Sequence, residues 1–199
     1  VSIVSPKAKE KLLNISIELP KAQSLNFVGD PTRIRQIYLN LLSNAIKFTK
    51  EGDIKIVVKV DQIENNKVKI ATSILDSGIG IPPSKIVELF KPFSQVTGSE
   101  VSSLGGTGLG LVICKEFTSL MEGDISVKSV EGEGSNFYFT IKAESVTSDK
   151  KVYLFESSPK LLGKRVLIID QNKSNGTMLN NLTKRWRMSS DLITNISEL

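Results

Sequence analysis

The sequence contains no histidine, and this absence excludes several common kinds of side-chain chemistry. Without an imidazole, the chain has no histidine acid or base, no histidine metal ligand and no phosphohistidine of its own. The single cysteine excludes an internal disulfide bond. No apolar run approaches the ~20 residues needed to span a bilayer, and the first residues do not have the pattern of a signal peptide. Carboxylates, amides, amines, hydroxyls and the backbone must therefore carry any chemistry.

The bulk composition is that of an ordinary globular protein. The 199 residues include 40% hydrophobic and 24% charged ones, enough for one domain and part of another. The net charge of +5 could help to attract an anionic ligand, but scattered surface lysines are the favoured explanation. No basic patch is interleaved with aromatic residues, so we predict no nucleic-acid partner. We expect a cytoplasmic location, either for the whole protein or for the cytoplasmic part of a membrane-bound one.

A glycine-rich stretch, Gly105-Gly-Thr-Gly-Leu-Gly-Leu111, precedes an apolar helical pattern at Leu109–Met121. Glycines at a helix start let backbone N–H groups approach an anion closely, and a helix N-terminus attracts phosphate. We predict Thr107 as the N-cap and Gly123 as the C′ residue of this helix. A tight connection without a ligand is an equally good interpretation of the stretch alone. The polar segment Ser94–Leu104 before it is typical of a mobile lid or of a surface loop.

The clearest predicted helix is Pro31–Lys50, with Asp30 as its N-cap. Its apolar positions recur at helical spacing, at Ile34, Ile37, Tyr38, Leu41, Ala45 and Phe48. A second row on the helix consists of Gln36, Asn40, Asn44 and Lys47, spaced four, four and three residues apart. Amide oxygens ligate a hard cation such as Mg²⁺, and a lysine binds phosphate. A merely polar surface row is the alternative.

Two β-hairpins flank the remaining motifs. The first pairs Asp53–Val60 with Lys67–Leu75, and the second pairs Asp124–Val130 with Ser135–Lys142. The first hairpin ends in Asp76-Ser-Gly-Ile-Gly-Ile81. A carboxylate at a strand end can accept an N–H from a base while the glycines leave room for its ring, although an Asp-Ser-Gly turn explains the pattern as well.

Two further segments complete the chain. Pro83–Leu89 is predicted as a short helix, and in Phe90-Lys-Pro-Phe93 the two aromatics are more typical of loop anchors than of ligand contacts. We interpret residues 144–163 as a linker. After it, a strand at Lys164–Asp170, a helix at about Ser174–Trp186 and a strand near Asp191–Ile196 predict the opening of a βαβ unit.

Together, the order and spacing of these motifs resemble the catalytic ATP-binding domain of sensor histidine kinases, in the wider gyrase/Hsp90/MutL-like superfamily. Asn40-Leu-Leu-Ser-Asn44-Ala-Ile-Lys47-Phe48 is similar to the N box of that family, and Asp76–Ile81 to its G1 box. Phe90–Phe93 resembles the F box, and Gly106–Gly110 the G2 box. The resemblance covers Phe27–Lys142. We therefore expect an ATP-binding domain at residues 28–143, after a lead-in at 1–27 from a dimerisation module.

The resemblance implies an α/β fold, a two-layer sandwich in which a mixed sheet packs under three helices. It implies ATP and Mg²⁺ as cofactors, with Asn44 as the metal ligand, Asn40 nearby and Lys47 on a phosphate; these three would form the catalytic set. Asp76 would accept the adenine amino group. The other residues implied in ATP binding are Phe48, Gly78, Gly80, Ile81, Phe93, Gly105, Gly106, Thr107, Gly108, Leu109 and Gly110.

The implied reaction is transfer of a phosphoryl group rather than hydrolysis. In the ATPase branches of the superfamily a glutamate that activates water occupies the position of Asn40, and an amide cannot act as a general base. The acceptor would be a histidine on a separate dimerising helical domain, and the parent protein would be a homodimer.

One departure from the family pattern concerns the lid. Ser102 and Ser103 stand where such lids commonly carry an Arg/Lys pair. Loss of a cation near the γ-phosphate predicts slow transfer with ATP binding retained. The alternatives are an ATP-sensing pseudokinase, a gyrase-like ATPase and an α/β interaction domain without a nucleotide.

The tail at residues 164–199 resembles the truncated start of an α/β receiver domain, as in hybrid kinases. Receivers usually end this strand with two acidic residues that hold Mg²⁺, whereas here the pair is Asp170-Gln171. One carboxylate makes a weaker cation site, which favours a degenerate, structural receiver.

Overall fold

A computed structural model of the chain describes residues 4–20, 26–64, 66–94, 107–146 and 160–195. Its helices are α1 (Ser5–Glu10), α2 (Pro31–Phe48), α3 (Pro83–Ile86), α4 (Gly110–Leu120) and α5 (Lys173–Arg185). Its strands are β1 (Asn14–Glu18), β2 (Asn26–Val28), β3 (Asp53–Glu64), β4 (Lys67–Asp76), β5 (Ile125–Val130), β6 (Gly134–Val146), β7 (Arg165–Ile169) and β8 (Ser189–Ile193). No helix within these ranges is long and apolar enough to cross a membrane.

Six strands form one mixed sheet in the order β1-β3-β4-β6-β2, with β5 also paired to β6. The pairing of β1 with β3 is parallel, and all other pairings in this sheet are antiparallel. Helices α2 and α4 pack against each other and contact this sheet. The prediction of a mixed sheet packed with helices is confirmed, and so are both hairpins.

Helix α2 supplies much of the core. Asp30 caps it as predicted, because its Oδ1 accepts hydrogen bonds from the backbone N–H groups of Thr32 and Arg33 at 2.9 and 3.1 Å. The helix ends at Phe48, two residues before the predicted end. Its buried residues are Ile37, Leu41, Leu42, Ala45 and Ile46. The apolar stripe therefore faces the sheet and leaves the amide-bearing row turned away from the centre of the core.

Some element boundaries differ from the sequence predictions because tertiary contacts set them. Helix α1 ends at Glu10 and lies within the stretch that was interpreted only as a lead-in. Strand β2 was not predicted, since its three residues have no pattern of their own and pair only with the end of β6. Helix α3 is one turn long and ends before Leu89.

Gly123 is not the C′ residue of α4, so that prediction is wrong. Glu122 has the left-handed φ of 52°, and Gly123 follows it with its N–H bonded to the Thr118 carbonyl oxygen at 2.9 Å. Glycine is required at 123 for another reason. A Cβ there would lie 1.8 Å from the Thr140 carbonyl oxygen on β6. Close approach to the sheet, rather than helix termination, explains this glycine.

The tail forms a βαβ unit as predicted. Strands β7 and β8 pair in parallel, with Arg165 opposite Ser189, and α5 connects them and contacts both. A parallel pair needs such a crossover, which explains why the strand is followed by a helix.

Leu12 occupies a position that favours glycine. Helix α1 ends in a Schellman motif, in which Leu12 N–H bonds the Lys9 carbonyl oxygen and Leu13 N–H bonds the Ala8 carbonyl oxygen. Leu12 takes the left-handed conformation there, with φ 57°, and its side chain is 86% exposed. Left-handed geometry costs an ordinary residue about 1–2 kcal/mol.

We therefore expect Leu12→Gly to stabilise the protein. The gain is about 0.5–1 kcal/mol after the extra flexibility of glycine in the unfolded chain is subtracted, which corresponds to roughly 1–4 °C in melting temperature. Thermal denaturation would measure it. Leu12→Ala is the matched control, because alanine removes the same exposed side chain but keeps the Cβ. An equal gain in both variants would contradict the explanation by left-handed strain.

Candidate active site

The polar row of α2 forms one wall of the candidate site. Asn40 connects this row to α4, since its Nδ2 donates to the Gly110 carbonyl oxygen at 3.1 Å and lies 3.7 Å from the Sγ of Cys114. Its Oδ1 accepts a hydrogen bond from Gln36 Nε2 at 3.1 Å. Both ends of the Asn40 amide are thus engaged, which fixes its orientation between the two helices.

Cys114 on α4 is a core residue. It is fully buried, and burial raises the pKa of its thiol to about 11, so the thiol remains protonated at neutral pH. The neutral thiol packs beside Asn40 at the interface between α2 and α4. It offers no nucleophile to the site.

Asn44 and Lys47 follow Asn40 on the same side of α2. Asn44 is half-buried. Within the described ranges its side-chain amide makes no hydrogen bond. The Nζ of Lys47 lies 4.6 Å from the centre of the Phe48 ring. Partial burial lowers the pKa of Lys47 from its usual value. The row therefore places an amide oxygen and an amine on the same side of α2.

Asp76 stands at the end of β4, where the first hairpin ends. Burial raises the pKa of its carboxyl group above the usual aspartate range, and backbone N–H groups of Gly78 and Ser135 partly offset this rise. The bond from Gly78 N–H to Asp76 Oδ1 is 3.0 Å long. This carboxylate is held rigidly and is only partly hydrated, which suits an acceptor for the amino group of a base.

The glycines after Asp76 are dictated by close packing. A Cβ at Gly78 would lie 2.6 Å from the Phe48 carbonyl oxygen and 2.8 Å from Asp76 Oδ1. Gly80 has a left-handed φ of 67°, and a Cβ there would lie 2.0 Å from the Val130 carbonyl oxygen. The loop after β4 therefore fits only without side chains at these two positions. The N–H of Ile79 bonds the Phe48 carbonyl oxygen at 3.2 Å, which joins this loop to the end of α2.

The β5–β6 hairpin supports the same loop, and sequence reasoning missed this contribution. The N–H of Ile81 donates to Ser129 Oγ at 2.8 Å, and Ser129 Oγ in turn contacts the Gly134 carbonyl oxygen at 2.7 Å. Gly134 has a φ of 122°, and a Cβ there would lie 2.0 Å from the Asp76 carbonyl oxygen. The glycines of the Glu-Gly-Glu-Gly turn were the available signal, but their partner became visible only in the fold.

The predicted aromatic motif and the glycine-rich stretch meet at one point. A Cβ at Gly108 would lie 2.9 Å from the backbone of Phe93, and Gly108 has a left-handed φ of 70°. Phe90 packs against the core, as expected of a loop anchor, whereas the Phe93 side chain is 75% exposed. Phe93 therefore does not anchor the loop to the core. Its backbone supports the turn into α4.

Thr107 is not the N-cap of α4, which corrects the prediction. The helix begins at Gly110 with Leu109 as its N-cap residue, and no side chain caps it. The Thr107 hydroxyl instead accepts a bond from Leu109 N–H at 3.4 Å. Glycine-rich segments adopt left-handed turns that propensity alone does not locate. Gly105, Gly106 and lid residues 95–104, including Ser102 and Ser103, lie outside the described residues.

Asp170 is not part of this assembly and lies at the end of β7. Its Oδ1 accepts the N–H of Asn172 at 2.8 Å, which is a local turn. In the described ranges, no group of three or more acidic or cysteine side chains is arranged to hold a metal ion. A cation at the α2 row would therefore depend on amide oxygens, on water and on oxygens of its ligand.

The fold and the site define a class of protein. A mixed sheet packed with helices carries an amide-and-lysine row on one helix, a carboxylate at a strand end and a glycine-rich entry to a second helix. These features belong to ATP-binding α/β sandwiches of the kind found in histidine kinases.

The comparisons with known proteins establish the family. Residues 29–145 match the family described as histidine kinase-, DNA gyrase B- and HSP90-like ATPase, and the chain belongs to this family. It is similar to the sensor histidine kinase GacS of Pseudomonas protegens, with 38% identity over 87% of this chain and 18% of that protein. The peroxide stress-activated histidine kinase mak2 of Schizosaccharomyces pombe is 40% identical over 79% of this chain and 7% of that protein. The chain thus spans under a fifth of these relatives.

Solved structures agree on the fold. The catalytic domain of histidine kinase ThkA covers 71% of this chain and 87% of its own length, with 29% identity and a TM-score of 0.55. Full-length ShkA, solved with AMPPNP, covers 99% of this chain and 38% of its own length, with a TM-score of 0.67. Its identity of 24% makes that likeness one of fold alone. The chain is therefore a catalytic domain of the histidine-kinase type.

Proposed function

We propose that this chain binds Mg-ATP and supplies the catalytic domain for phosphoryl transfer to a histidine on a separate helical domain of a longer protein. One observation carries the proposal. The Asp76 loop and the polar row of α2 are joined directly, by the bond from Ile79 N–H to the Phe48 carbonyl oxygen. The Asp76 carboxylate, which is suited to bind a nucleotide base, and the polar row of α2, which is suited to bind phosphates, are therefore held at a fixed separation.

Each residue of the site has a role in this proposal. Asp76 accepts the adenine amino group, and Gly78 and Gly80 keep the loop clear of side chains. Asn44 ligates Mg²⁺, and Lys47 contacts a phosphate. The cation would neutralise charge on the transferring phosphoryl group. The described residues fit Mg²⁺, since Asn44 brings a half-buried amide without a hydrogen bond within the described ranges.

The chemistry and the hydrogen bonds of the Asn40 side chain favour phosphoryl transfer over ATP hydrolysis. An amide does not take a proton from water, and both ends of this amide are already bonded, to Gln36 and to the Gly110 carbonyl oxygen. Asn40 therefore holds the start of α4 beside α2 instead of activating a nucleophile. The acceptor must come from elsewhere, because the chain has no histidine.

Asn44→Ala tests the magnesium assignment. We expect the affinity of the 199-residue chain for AMP-PNP without magnesium to change little. The gain in affinity on adding magnesium should fall by about tenfold or more, as for other lost metal-site partners. Calorimetric titration with and without Mg²⁺ measures both. Ser43→Ala, at an exposed neighbouring position of α2, is the matched control.

The results of the binding, hydrolysis and phosphate-transfer experiments distinguish the candidate functions. Absence of AMP-PNP binding by the unaltered chain would contradict the proposal entirely, and a full magnesium effect in Asn44→Ala would contradict the role of Asn44. A steady rate of ATP hydrolysis by the chain would instead support a gyrase-like ATPase. Labelled phosphate passing from γ-labelled ATP to a histidine of the longer protein is the result expected of a kinase.

A further inference from the structure

The last turn of α2 receives hydrogen bonds from two distant segments. The final carbonyl groups of a helix have no partner within the helix, and they carry its negative dipole end. Here the Phe48 carbonyl oxygen accepts the N–H of Ile79. The carbonyl oxygens of Ile46, Lys47 and Thr49 accept the ammonium group of Lys11, at 2.7, 3.0 and 3.2 Å. One lysine thus uses all three of its N–H donors on this turn.

The backbone at Lys11 is fixed by the end of α1. Lys11 is the C-cap residue of that helix, and the Schellman motif after it places Leu13 in the core. Ala8 and Leu13 are 2% and 7% exposed, so their packing anchors the turn that presents the lysine. The lysine therefore starts from a rigid base, which limits the entropy lost in its contacts.

A second connection joins the same segment to the loop after β4. The N–H of Asn14 donates to the Gly52 carbonyl oxygen at 3.0 Å. The next residue, Asp53, exchanges hydrogen bonds with Ser77, from Asp53 N–H to Ser77 Oγ at 3.0 Å and from Ser77 N–H to the Asp53 carbonyl oxygen at 3.2 Å. The lead-in therefore reaches both parts of the site, the α2 row through Lys11 and the Asp76 loop through Gly52 and Asp53.

We propose that Lys11 is a positioning residue for the nucleotide site. It holds the turn that carries Lys47 and the carbonyl group that binds Ile79, and so it sets the spacing between the phosphate-binding row and the base-binding loop. The inference rests on the proposed binding of ATP.

Lys11→Met is the direct test, since methionine keeps the length of the side chain and removes the charge and the three donors. We expect the affinity of the 199-residue chain for Mg-AMP-PNP to fall about threefold to tenfold, as for loss of a cation at a helix C-terminus. Titrations are run well below the melting temperature of every variant. Lys11→Arg should restore at least half of the loss in binding free energy.

Lys9→Met is the matched control, because Lys9 is an exposed lysine in the last turn of the same helix. It should bind the nucleotide like the unaltered chain. A second measurement separates positioning from general stability. The amide NMR signal of Ile79 should shift in Lys11→Met and return toward its original position in Lys11→Arg.

Each result decides the matter. If the unaltered chain does not bind Mg-AMP-PNP, the proposed function itself fails. If it binds, and Lys11→Met binds equally well while melting at a lower temperature, Lys11 is only a stabilising residue and this inference is wrong. Should Lys11→Met not fold, Lys11→Gln takes its place. It keeps N–H donors but loses the charge, so we expect a smaller fall in affinity, and unchanged affinity would contradict this inference.

Discussion

Replacing Asp76 with alanine is expected to weaken ATP binding by about 10- to 150-fold, because a hydrogen bond to a charged group contributes about 1.5–3 kcal/mol. The carboxylate is held by the backbone N–H of Gly78 and lies where burial strengthens its interactions. Alanine has no side-chain oxygen that could accept this hydrogen bond. Calorimetric titration with AMP-PNP measures the loss.

Base selectivity is the sharper measurement. The unaltered chain should prefer ATP to ITP, since inosine has a carbonyl oxygen where adenine has an amino donor. In Asp76→Ala this preference should disappear, because no carboxylate remains to distinguish a donor from an acceptor. Asp61→Ala, which removes an exposed carboxylate on β3, is the control and should keep both affinity and selectivity. If Asp76→Ala still preferred ATP to ITP, this would contradict the proposal that the Asp76 carboxylate recognises the adenine base.

The raised pKa of Asp76 predicts opposite effects of pH on binding and on stability. In the proposed role the ionised carboxylate accepts the amino group, so we expect the affinity to be full above the raised pKa and to fall as pH drops through it. In the unliganded protein the sign is reversed. Between the unfolded and the folded pKa the folded state binds more protons, so stability rises as pH falls through the folded pKa. Asp76→Asn should abolish both dependences.

Gly80→Ala is expected to have the largest effect on the loop itself. The left-handed φ of 67° strains any side chain, and the added Cβ would lie 2.0 Å from the Val130 carbonyl oxygen. We expect a loss of at least about 3 kcal/mol, because strain and overlap add. This corresponds to a fall in melting temperature of roughly 6–12 °C. Displacement of the loop would also weaken nucleotide binding through Asp76, so both quantities should be measured.

The variant Gly132→Ala distinguishes the effect of left-handed backbone strain from that of a steric clash of the added Cβ. Gly132 lies in the adjoining turn with a φ of 86°, but a Cβ there meets no heavy atom within 4 Å. This variant should lose only about 1 kcal/mol and should bind nucleotide normally. Equal losses in the two variants would show that the contact with Val130 is unimportant, and the account of this loop would be wrong.

The sequence alone predicted the parts whose signal is local. Helix α2 has a capping aspartate, a proline in its first turn and a sustained apolar period, so its start and part of its buried face were predicted correctly. The burial of Leu42 and Ile46 was not predicted. The strands of both hairpins alternate over enough residues to be recognised. The site motifs were identified because their order along the chain matches a known family, although no single motif was decisive.

The predictions that failed concern features set by distant contacts. Threonine at position 107 could cap a helix. However, the chain makes a left-handed turn at Gly108, against the Phe93 backbone, and the helix begins only at Gly110. Gly123 follows a helix, yet its lack of a side chain serves contact with β6. The roles of Lys11 and Ser129 carried no sequence signal, since a lysine and a serine at such positions are ordinary surface residues.

The sequence by itself therefore determined which elements form, which faces are apolar and which side chains are available for chemistry, because these depend on spacing along the chain. Only the tertiary structure decided how the elements meet. It placed the Asp76 loop on the last turn of α2, joined Asn40 to the start of α4 and brought Lys11 to the carbonyl groups beside Lys47. These contacts join residues about 30 to 70 positions apart, and their geometry depends on packing that no local pattern encodes.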